Sequence, residues 1–282
     1  YPFPLHDCNI SLKDHQLVLL NACIKHENET CFSHSEEYET LKTNLGIIGD
    51  KVGSGKSYVI LALIMCNKTP LNEYIPSISF ANGHVMAQPK EPNVVDIDLS
   101  MIVIPHMLVK QWSNYISTFS NKFNYFIVNN SKQINKIKDD ANLLNNVDIL
   151  LVTGSFAYCI PYIFYDRNWR IKRLIVDEAD SIRSCLSHID TKFTWLVTAS
   201  WEKLFSGYHR FQMRLVKEIT ENFNHPRNSN FLYDLVKLND NEFIDNSYRL
   251  PEPIQHIIKC KEPKEVHILQ GVFNNEIIKC IN

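Results

Sequence analysis

The residues with the clearest chemical meaning lie between positions 49 and 57, where the chain runs Gly-Asp-Lys-Val-Gly-Ser-Gly-Lys-Ser. The apolar run 45–48 precedes this glycine-rich segment, and the apolar run 58–64 follows it with the length of a helix. Glycines let backbone N–H groups curl around phosphate oxygens, and the N-terminus of the following helix adds partial positive charge. A strand, a loop and a helix in this order therefore predict a site for nucleotide phosphates.

The side chains of this segment match ATP and Mg²⁺ as cofactors. Lys56 is placed to reach the β- and γ-phosphates, and the Ser57 hydroxyl is placed to bind Mg²⁺. The usual pattern is Gly-x-x-x-x-Gly-Lys-Ser/Thr, but here its first position is an aspartate and Gly49 falls one residue too early. An ordinary tight turn that leads into a helix is the alternative interpretation. Besides Lys56 and Ser57, the predicted nucleotide-binding residues of the loop are Asp50, Gly53, Ser54 and Gly55.

A second segment, residues 173–180, places carboxylates directly after three aliphatic residues in the order Arg-Leu-Ile-Val-Asp-Glu-Ala-Asp. This pattern is typical of the C-terminal end of a central parallel strand. Asp177 is predicted to hold Mg²⁺, and Glu178 is predicted to orient or deprotonate the attacking water. Together with Lys56 they are the predicted catalytic residues. A solvated acidic turn is the alternative, which the phosphate loop upstream disfavours.

These segments resemble the motifs of superfamily 2 helicases. Residues 50–57, 177–180 and 198–200 (Thr-Ala-Ser) are similar to motifs I, II and III of that superfamily. Its Swi2/Snf2-like branch characteristically has Asp at the first position of motif I, as in Asp-Glu-x-Gly-x-Gly-Lys-Thr. The unusual Asp50 therefore matches that branch, and the chain as a whole is most similar in character to helicase-like proteins of nucleocytoplasmic large DNA viruses.

Three further segments extend the resemblance. Residues 12–16, Leu-Lys-Asp-His-Gln, resemble the element whose glutamine, here Gln16, recognises the adenine edge. Residues 101–112 resemble motif Ia with its Gln-Trp continuation, and residues 148–155 resemble the following strand and turn, which in the family contacts the nucleic-acid backbone. A surface helix residue is the alternative for Gln16, and a core residue is the alternative for Trp112.

The resemblance also implies roles for residues outside the nucleotide site. Thr198 and Ser200 would couple the nucleotide state to a neighbouring lobe, although a strand that ends in Thr-Ala-Ser is also consistent with a capped turn. The candidate contacts to the phosphate backbone of nucleic acid are Pro105, His106, Lys110, Thr153 and Ser155.

Apolar runs alternate with helix-length segments along the chain. This alternation predicts an α/β fold, namely a RecA-like P-loop NTPase lobe whose mostly parallel sheet is covered by helices on both faces. The phosphate loop and the carboxylate pair then meet at the carboxyl edge of the sheet. The predicted strands are 45–48, 101–104, 125–128, 148–152, 174–176 and 195–198.

The predicted organisation has three parts. Residues 1–43 form an N-terminal helix with the adenine-recognition element and a connector, and residues 44–205 form the ATP-binding lobe. Residues 67–100 contain four prolines and little periodicity, so we interpret them as an exposed, mobile insertion. Residues 206–282 form a helical and short-strand extension that leads toward a second RecA-like lobe. No Gln-x-x-Gly-Arg-x-x-Arg stretch is present, so this lobe alone is expected to bind ATP weakly and hydrolyse it slowly.

Composition sets further limits. The 282 residues are 45% hydrophobic and 21% charged, which suits a full core and excludes a disordered chain. No apolar run approaches the length of a membrane span. The net charge of −2 gives no support for nucleic-acid binding over the whole surface, so such binding must be local. Two basic groups, each of which is also consistent with a solvated face, are Lys132, Lys136 and Lys138, and Arg167, Arg170, Lys172 and Arg173.

The eight cysteines are scattered, which favours free thiols in a reducing compartment. Cys23, His26, Cys31 and His34 have the spacing Cys-x2-His-x4-Cys-x2-His and are ligand types suited to tetrahedral Zn²⁺. A helix end with incidental cysteines and histidines is the alternative. The chain starts without Met or a signal-peptide pattern, which suggests a piece of a larger protein.

The sequence thus predicts the ATP-hydrolysing lobe of a nucleic-acid-dependent helicase or translocase, with duplex DNA favoured and RNA as the alternative partner. Its other predicted partner is the second RecA-like lobe of the same protein, and no membrane is involved. The family implies an intracellular location, in a virion or in host cytoplasm or nucleus if the protein is viral. A P-loop phosphohydrolase or kinase without a nucleic-acid role and a helicase-fold scaffold subunit are the alternatives. A scaffold would be expected to have lost Lys56 or Glu178, and both are present.

Overall fold

The computed structural model describes ten stretches of the chain, all within one compact unit, Tyr1–Tyr248. Four short strands among them are described by their backbone alone. The described stretches are residues 8–28, 31–33, 40–42, 44–66, 78–81, 84–87, 94–140, 142–182, 189–204 and 234–248.

A parallel sheet forms the centre of this unit. The strands of the described chain are β1 (Cys31–Ser33), β2 (Thr40–Lys42), β3 (Leu45–Ile48), β4 (Ile78–Ala81), β5 (His84–Ala87), β6 (Val95–Ile104), β7 (Tyr125–Val128), β8 (Ile149–Thr153), β9 (Trp169–Asp177), β10 (Thr191–Val197) and β11 (Val236–Lys237). Seven of them lie side by side in the order β11-β3-β10-β9-β6-β8-β7, and every neighbouring pair is parallel. The pairs β1-β2 and β4-β5 are antiparallel.

Helices cover both faces of the sheet, which confirms the predicted α/β fold. They are α1 (Asp14–Asn28), α2 (Lys56–Cys66), α3 (Val109–Phe119), α4 (Ser131–Asp139), α5 (Gly154–Ala157), α6 (Ile160–Asp166) and α7 (Asn241–Ser247). Apolar residues of α1, α2 and α3 pack on one face, and those of α4, α5 and α6 pack on the other. Successive residues of a strand point to opposite faces of the sheet. Because helices cover both faces, the residues on either face are buried, which explains the unbroken aliphatic runs. No helix of the described residues is long and apolar enough to cross a membrane.

The strand β6 is longer than predicted. It begins at Val95, so residues 95–100 belong to the sheet and not to the insertion. Its first half contains Asp96 and Asp98, which interrupt the apolar run by which a buried strand is recognised in the sequence. Both aspartates form ion pairs with β9, to Arg170 and Lys172 respectively. The β4-β5 pair also lies in the predicted insertion, whose residues 67–77, 82–83 and 88–93 fall outside the described chain.

The second basic group of the sequence has a structural role, so its assignment as a candidate nucleic-acid surface is wrong. Arg170, Lys172 and Arg173 are buried. Arg167 donates to the backbone oxygens of residues 137 and 138 at 2.6 and 3.2 Å, and its guanidinium lies 4.7 Å from the ring centroid of Trp169. The lysines of the other group, on α4, are exposed.

A fully buried ion pair anchors α1 to the sheet. Arg173 donates from Nε and Nη2 to the two carboxylate oxygens of Glu27, each at 2.6 Å. Trp195 on β10 donates from Nε1 to the same carboxylate at 2.9 Å. Both charged side chains are 0% exposed, so protein groups and not water stabilise the carboxylate. The end of α1 is therefore fixed to β9 and β10 by polar contacts within an apolar layer.

Residues of the predicted zinc site lie in this same layer. Cys23 is completely buried in the apolar cluster on that face, and burial raises the pKa of its thiol. His26 donates from Nε2 to the Leu45 backbone oxygen at 2.8 Å. No group of three or more metal-ligating side chains occurs among the described residues. His34 and the Cys31 side chain lie outside them, so the zinc site stays a hypothesis.

The Glu27–Arg173 pair yields a stability prediction. Glu27→Ala leaves the buried guanidinium without its carboxylate and is expected to lower the free energy of unfolding by about 3–5 kcal/mol. Replacement of both residues, Glu27→Leu with Arg173→Met, should recover most of that loss because no charge remains buried. Urea unfolding of both variants measures this. A loss below about 1 kcal/mol in the single variant would show that the pair contributes no more than a surface ion pair.

His26 yields a pH prediction. Burial lowers the pKa of His26 to about 4 from its ordinary 6.5, and the nearby Lys237 charge acts in the same direction. Since the unfolded chain takes up the proton first, the free energy of unfolding is fully retained above pH 6.5 and falls by about 3 kcal/mol as the pH drops to 4. The difference in unfolding free energy between the wild type and His26→Gln should therefore shrink across this range. A difference that does not change with pH would contradict a neutral, buried His26.

Candidate functional site

Three strands deliver the predicted catalytic segments to one edge of the sheet. Val197, the last residue of β10, is in register with both Ile48 at the end of β3 and Asp177 at the end of β9. The loops that follow these three residues contain the matches to motifs I, II and III. Because the strands are parallel, all three loops emerge at the carboxyl edge, as the sequence predicts.

The phosphate loop needs its glycines for two different reasons. Gly53 and Gly55 both have φ of 82°, a left-handed conformation that other L-residues rarely adopt. At Gly55 a Cβ would also lie 2.1 Å from Nε2 of Gln16. Helix α2 begins immediately afterwards, at Lys56. Ser54 between the glycines is buried, and its hydroxyl has no hydrogen-bond partner among the described residues, which is consistent with a role for that oxygen in ligand contact.

The ammonium of Lys56 lies over its own loop. Nζ donates to the backbone oxygens of Asp50 at 2.7 Å and of Lys51 at 3.0 Å. Burial lowers the pKa of Lys56, and the negative charges of Asp177, Asp50 and Glu178 oppose that shift. The lysine is thus the cation between the loop and the carboxylates of motif II. An ammonium carries three N–H donors, so these two carbonyl partners leave the third for a phosphate oxygen.

Asp177 is held by two donors. Its Oδ2 accepts from Nε1 of Trp112 at 2.8 Å, and its Oδ1 accepts from the backbone N–H of Glu178 at 3.1 Å. Burial raises the pKa of Asp177 to about 6, the charge of Glu178 adds to this, and the bond from Trp112 and the charge of Lys56 oppose it. The sequence missed this role of Trp112. The ring is buried as the core alternative requires, but its N–H also orients the predicted metal ligand.

Glu178 has an unusual backbone and an exposed side chain. Its φ is 51°, in the left-handed region, although it is not glycine. Its backbone oxygen accepts from the N–H of Ser181 at 2.8 Å and from the hydroxyl of the same residue at 2.9 Å, which fixes the turn. Strained residues of this kind concentrate at functional sites. The turn carries the carboxylate away from the buried strand end, into solvent beside Asp177.

Motifs II and III are joined by hydrogen bonds. The Thr198 hydroxyl donates to the carboxylate of Asp180 at 2.7 Å and accepts from the backbone N–H of Ser200 at 3.0 Å. The N–H of Ala179 donates to the backbone oxygen of Val197 at 3.1 Å. These hydrogen bonds connect the turn after β9 directly to the turn after β10. The predicted coupling role of Thr198 and Ser200 stays a prediction, and Asp180 is its structural partner.

Gln16 contacts the phosphate loop in this structure. Its Nε2 donates to the backbone oxygen of Ser54 at 3.0 Å, and its Oε1 accepts from the N–H of Lys13 at 2.9 Å. The neighbouring His15 ring also donates to Ser54, from Nε2 at 2.8 Å. Two side chains of α1 thus hold one carbonyl of the loop, a role the sequence did not predict. The adenine contact of Gln16 stays a prediction.

The carboxylate of Asp50 points to a different partner than the predicted nucleotide. Its Oδ1 accepts from the backbone N–H of Asn239 at 2.7 Å, and its Oδ2 accepts from the side-chain amide of that residue at 2.9 Å. Any contact of Asp50 with a nucleotide therefore falls to its backbone. The side chain that Asp50 has, and that the usual glycine lacks, is thus engaged in a buried contact.

The residues predicted to contact nucleic acid are divided by the structure. His106, Lys110 and Ser155 are exposed near the carboxyl ends of β6 and β8. Pro105 is half-buried, between β6 and the short 3₁₀ turn that starts at His106. Thr153 is buried, and its hydroxyl lies 3.5 Å from the backbone oxygen of residue 128, so its side chain does not reach the surface in this structure. The four others stay predictions.

The donor set fits Mg²⁺. Asp177 supplies carboxylate oxygens and Ser57 a hydroxyl at the first turn of α2, and hard oxygen ligands are those that Mg²⁺ prefers. The register of β3, β10 and β9 brings the phosphate loop and Asp177 to the same edge of the sheet, where the charge of Lys56 also acts on the Asp177 carboxyl.

A glycine loop before a helix, with a carboxylate pair two strands away in a parallel sheet, defines a RecA-like P-loop NTPase lobe. The chain belongs to the SNF2-related domain family, whose profile matches residues 15–201. This confirms the predicted superfamily and its Swi2/Snf2-like branch.

Two known proteins illustrate the relationship. The chain is 23% identical over 360 residues to "Putative helicase R592" of Acanthamoeba polyphaga mimivirus. That alignment covers 97% of this chain and 41% of the relative. The fold of this chain is similar to that of the Sulfolobus solfataricus SWI2/SNF2 ATPase core solved in complex with dsDNA, with a TM-score of 0.53 and 15% identity. That likeness covers 88% of this chain and 48% of the solved one. The chain thus spans less than half the length of either protein.

The Trp112–Asp177 bond yields a prediction. Trp112→Phe keeps an aromatic ring but removes the donor, so Asp177 is expected to bind a proton more readily and a metal less readily. The Mg²⁺ concentration needed for half-maximal binding of a fluorescent ATP analogue should rise about tenfold, equivalent to about 1.4 kcal/mol. Tyr115→Phe is the matched control, because this hydroxyl on the same helix accepts from Gln111 and not from the site. Equal Mg²⁺ dependence in both variants would contradict the role of Trp112.

Proposed function

We propose that this chain is the ATP-binding and ATP-hydrolysing lobe of a translocase that moves on duplex DNA. One observation carries the proposal: Lys56 of the phosphate loop and the Asp177–Glu178 pair share one site at the carboxyl edge of the sheet. Membership of the SNF2-related domain family supports ATP as the nucleotide. The solved SWI2/SNF2 core of similar fold, which was bound to dsDNA, supports duplex DNA as the polymer.

The proposed chemistry divides the work among residues of this lobe. Lys56 and the N-terminus of α2 bind the phosphates and offset their negative charge. Ser57 and Asp177 hold Mg²⁺, which when bound neutralises charge on the phosphate oxygens. Glu178 orients the attacking water and accepts its proton. Its exposed carboxylate on a fixed turn suits this task, because water must reach it.

Coupling to nucleic acid is proposed to pass through the loops of the same edge. Thr198 and Asp180 link the turns after β9 and β10. A shift in the position of Glu178 would therefore change the position of Ser200. His106 and Lys110 are exposed beside them and are proposed to contact the DNA backbone, to which a lysine contributes salt-dependent affinity. A second RecA-like lobe is proposed to supply the arginine that stabilises the transition state.

The test is the ATPase rate of the full-length protein with and without duplex DNA, beside a Glu178→Gln variant. Duplex DNA should stimulate the wild type. Glu178→Gln should bind ATP normally but hydrolyse it about 10²–10⁴-fold more slowly, because it can no longer accept the proton. Lys56→Ala is the control that should lose ATP binding itself.

Two results would contradict the proposal. A wild-type rate indifferent to DNA and RNA would leave a P-loop phosphohydrolase or kinase without a nucleic-acid role. An unchanged rate in Glu178→Gln, with DNA stimulation intact, would instead remove Glu178 from the mechanism.

A further inference from the structure

We propose that Asn239 is a positioning residue for ATP, which sets the shape of the phosphate loop through the side chain of Asp50. The proposal rests on the proposed function in one respect, that the loop binds ATP. It does not depend on DNA as the partner. Asn239 lies between β11 and α7, in a segment that follows motif III and falls outside the residues matched by the family profile.

The contact between the two residues is buried and bidentate. Asn239 donates its backbone N–H to one carboxylate oxygen of Asp50 at 2.7 Å and its side-chain amide to the other at 2.9 Å. The same amide donates to the backbone oxygen of His15 at 3.0 Å. Asp50 is 2% exposed and Asn239 8% exposed, so water does not compete effectively for these bonds. Charge-assisted bonds in such surroundings fix geometry strongly.

Asp50 passes this geometry to the catalytic lysine. Its backbone oxygen accepts from Nζ of Lys56 at 2.7 Å, while its carboxylate is fixed by Asn239. A backbone rotation that took the Asp50 carboxylate away from Asn239 would also move that carbonyl, and with it the Lys56 ammonium. Asp50 is also the first residue of the motif, so its orientation sets the start of the glycine-rich turn. Asn239 therefore acts on the nucleotide through Asp50 without touching the nucleotide.

The rest of the segment contacts the loop as well. The N–H of Gly49 donates to the backbone oxygen of Lys237 at 3.0 Å, and Lys51 forms an ion pair with Asp245 of α7. The ring of His15 connects the two sides, because its Nδ1 lies 2.8 Å from the Ser247 hydroxyl and its Nε2 donates to the loop. These contacts are polar and directed at successive loop residues. They hold the loop in position instead of merely filling the core behind it.

The experiment exchanges the two side chains. Asn239→Asp places two carboxylates together, and Asp50→Asn removes the charge that Asn239 binds. Each is expected to weaken binding of a fluorescent ATP analogue to the full-length protein at least tenfold, equivalent to about 1.4 kcal/mol. The double variant, Asp50→Asn with Asn239→Asp, restores an amide–carboxylate pair in the opposite direction but loses the bond to the His15 backbone oxygen. Its Kd should therefore lie between those of the single variants and that of the wild type, and KM should follow Kd while kcat changes less.

Further variants separate positioning from folding. Asn239→Ser removes the side-chain amide but keeps the backbone bond, so it offers a milder change where Asn239→Asp does not fold. Asp240→Ala is the matched control. Its carboxylate caps α7 by accepting from the N–H of Glu242 and forms no hydrogen bond with the loop within the described chain, so the variant should lower Tm but leave Kd unchanged.

The outcomes are distinct. Loss of affinity in the single variants with recovery in the exchange supports the proposal. Single variants that lower Tm but bind the analogue like the wild type would overturn it, as would an exchange variant that folds without recovering affinity. Failure of the wild type to bind the analogue would overturn the proposed function together with this one. ATP binding without DNA stimulation would overturn only the choice of polymer.

Discussion

The register of three parallel strands is the constraint on which the site depends. The bonds between β3, β10 and β9 align Ile48, Val197 and Asp177, although these residues are far apart in the chain. A slip of one residue in either pairing would turn the strand ends to opposite faces and separate the loops. The aliphatic residues that fill both faces prevent such a slip, because it would exchange the packing of every side chain. Core packing thus sets the distance between the phosphate loop and the carboxylates.

The phosphate loop illustrates how a flexible segment is made specific. Its glycines permit the left-handed turns but do not select one conformation, and glycine loses the most backbone freedom on folding. The selection comes from outside the loop. His15 and Gln16 of α1 share the carbonyl of Ser54, and Asn239 holds the carboxylate of Asp50. The first helix and a late segment thus pre-organise the loop from two sides, which lowers the entropic cost of ligand binding.

The parts of the fold that sequence could predict are those whose cause is local. A tight loop around phosphate requires glycines and a lysine at fixed spacing, and a buried parallel strand requires a run of aliphatic residues. The longer extent of β6 was missed because Asp96 and Asp98 resemble a loop until their partners on β9 are known. For the same reason Arg170 and Lys172 looked like a surface group, although strand pairing buries them against those aspartates.

The same limit applies to the site. The bond from Trp112 to Asp177 and the bond from Asn239 to Asp50 join residues 65 and 189 positions apart, and no spacing rule connects them. Of these residues, only Asp50 is unusual in the sequence itself. A carboxylate in place of the usual glycine indicates a hydrogen-bond donor for its side chain in the folded protein. The sequence thus marks Asp50 as unusual but does not identify Asn239 as its partner.

At Glu178, backbone stability and the proposed catalytic role make opposite demands on one residue. Its left-handed backbone costs about 1 kcal/mol in a residue with a Cβ, and glycine would adopt it without that cost. Natural selection for stability alone would therefore drive this position toward glycine or asparagine. A glutamate at this position is therefore consistent with selection for the proposed activity, at the expense of the stability that glycine would add.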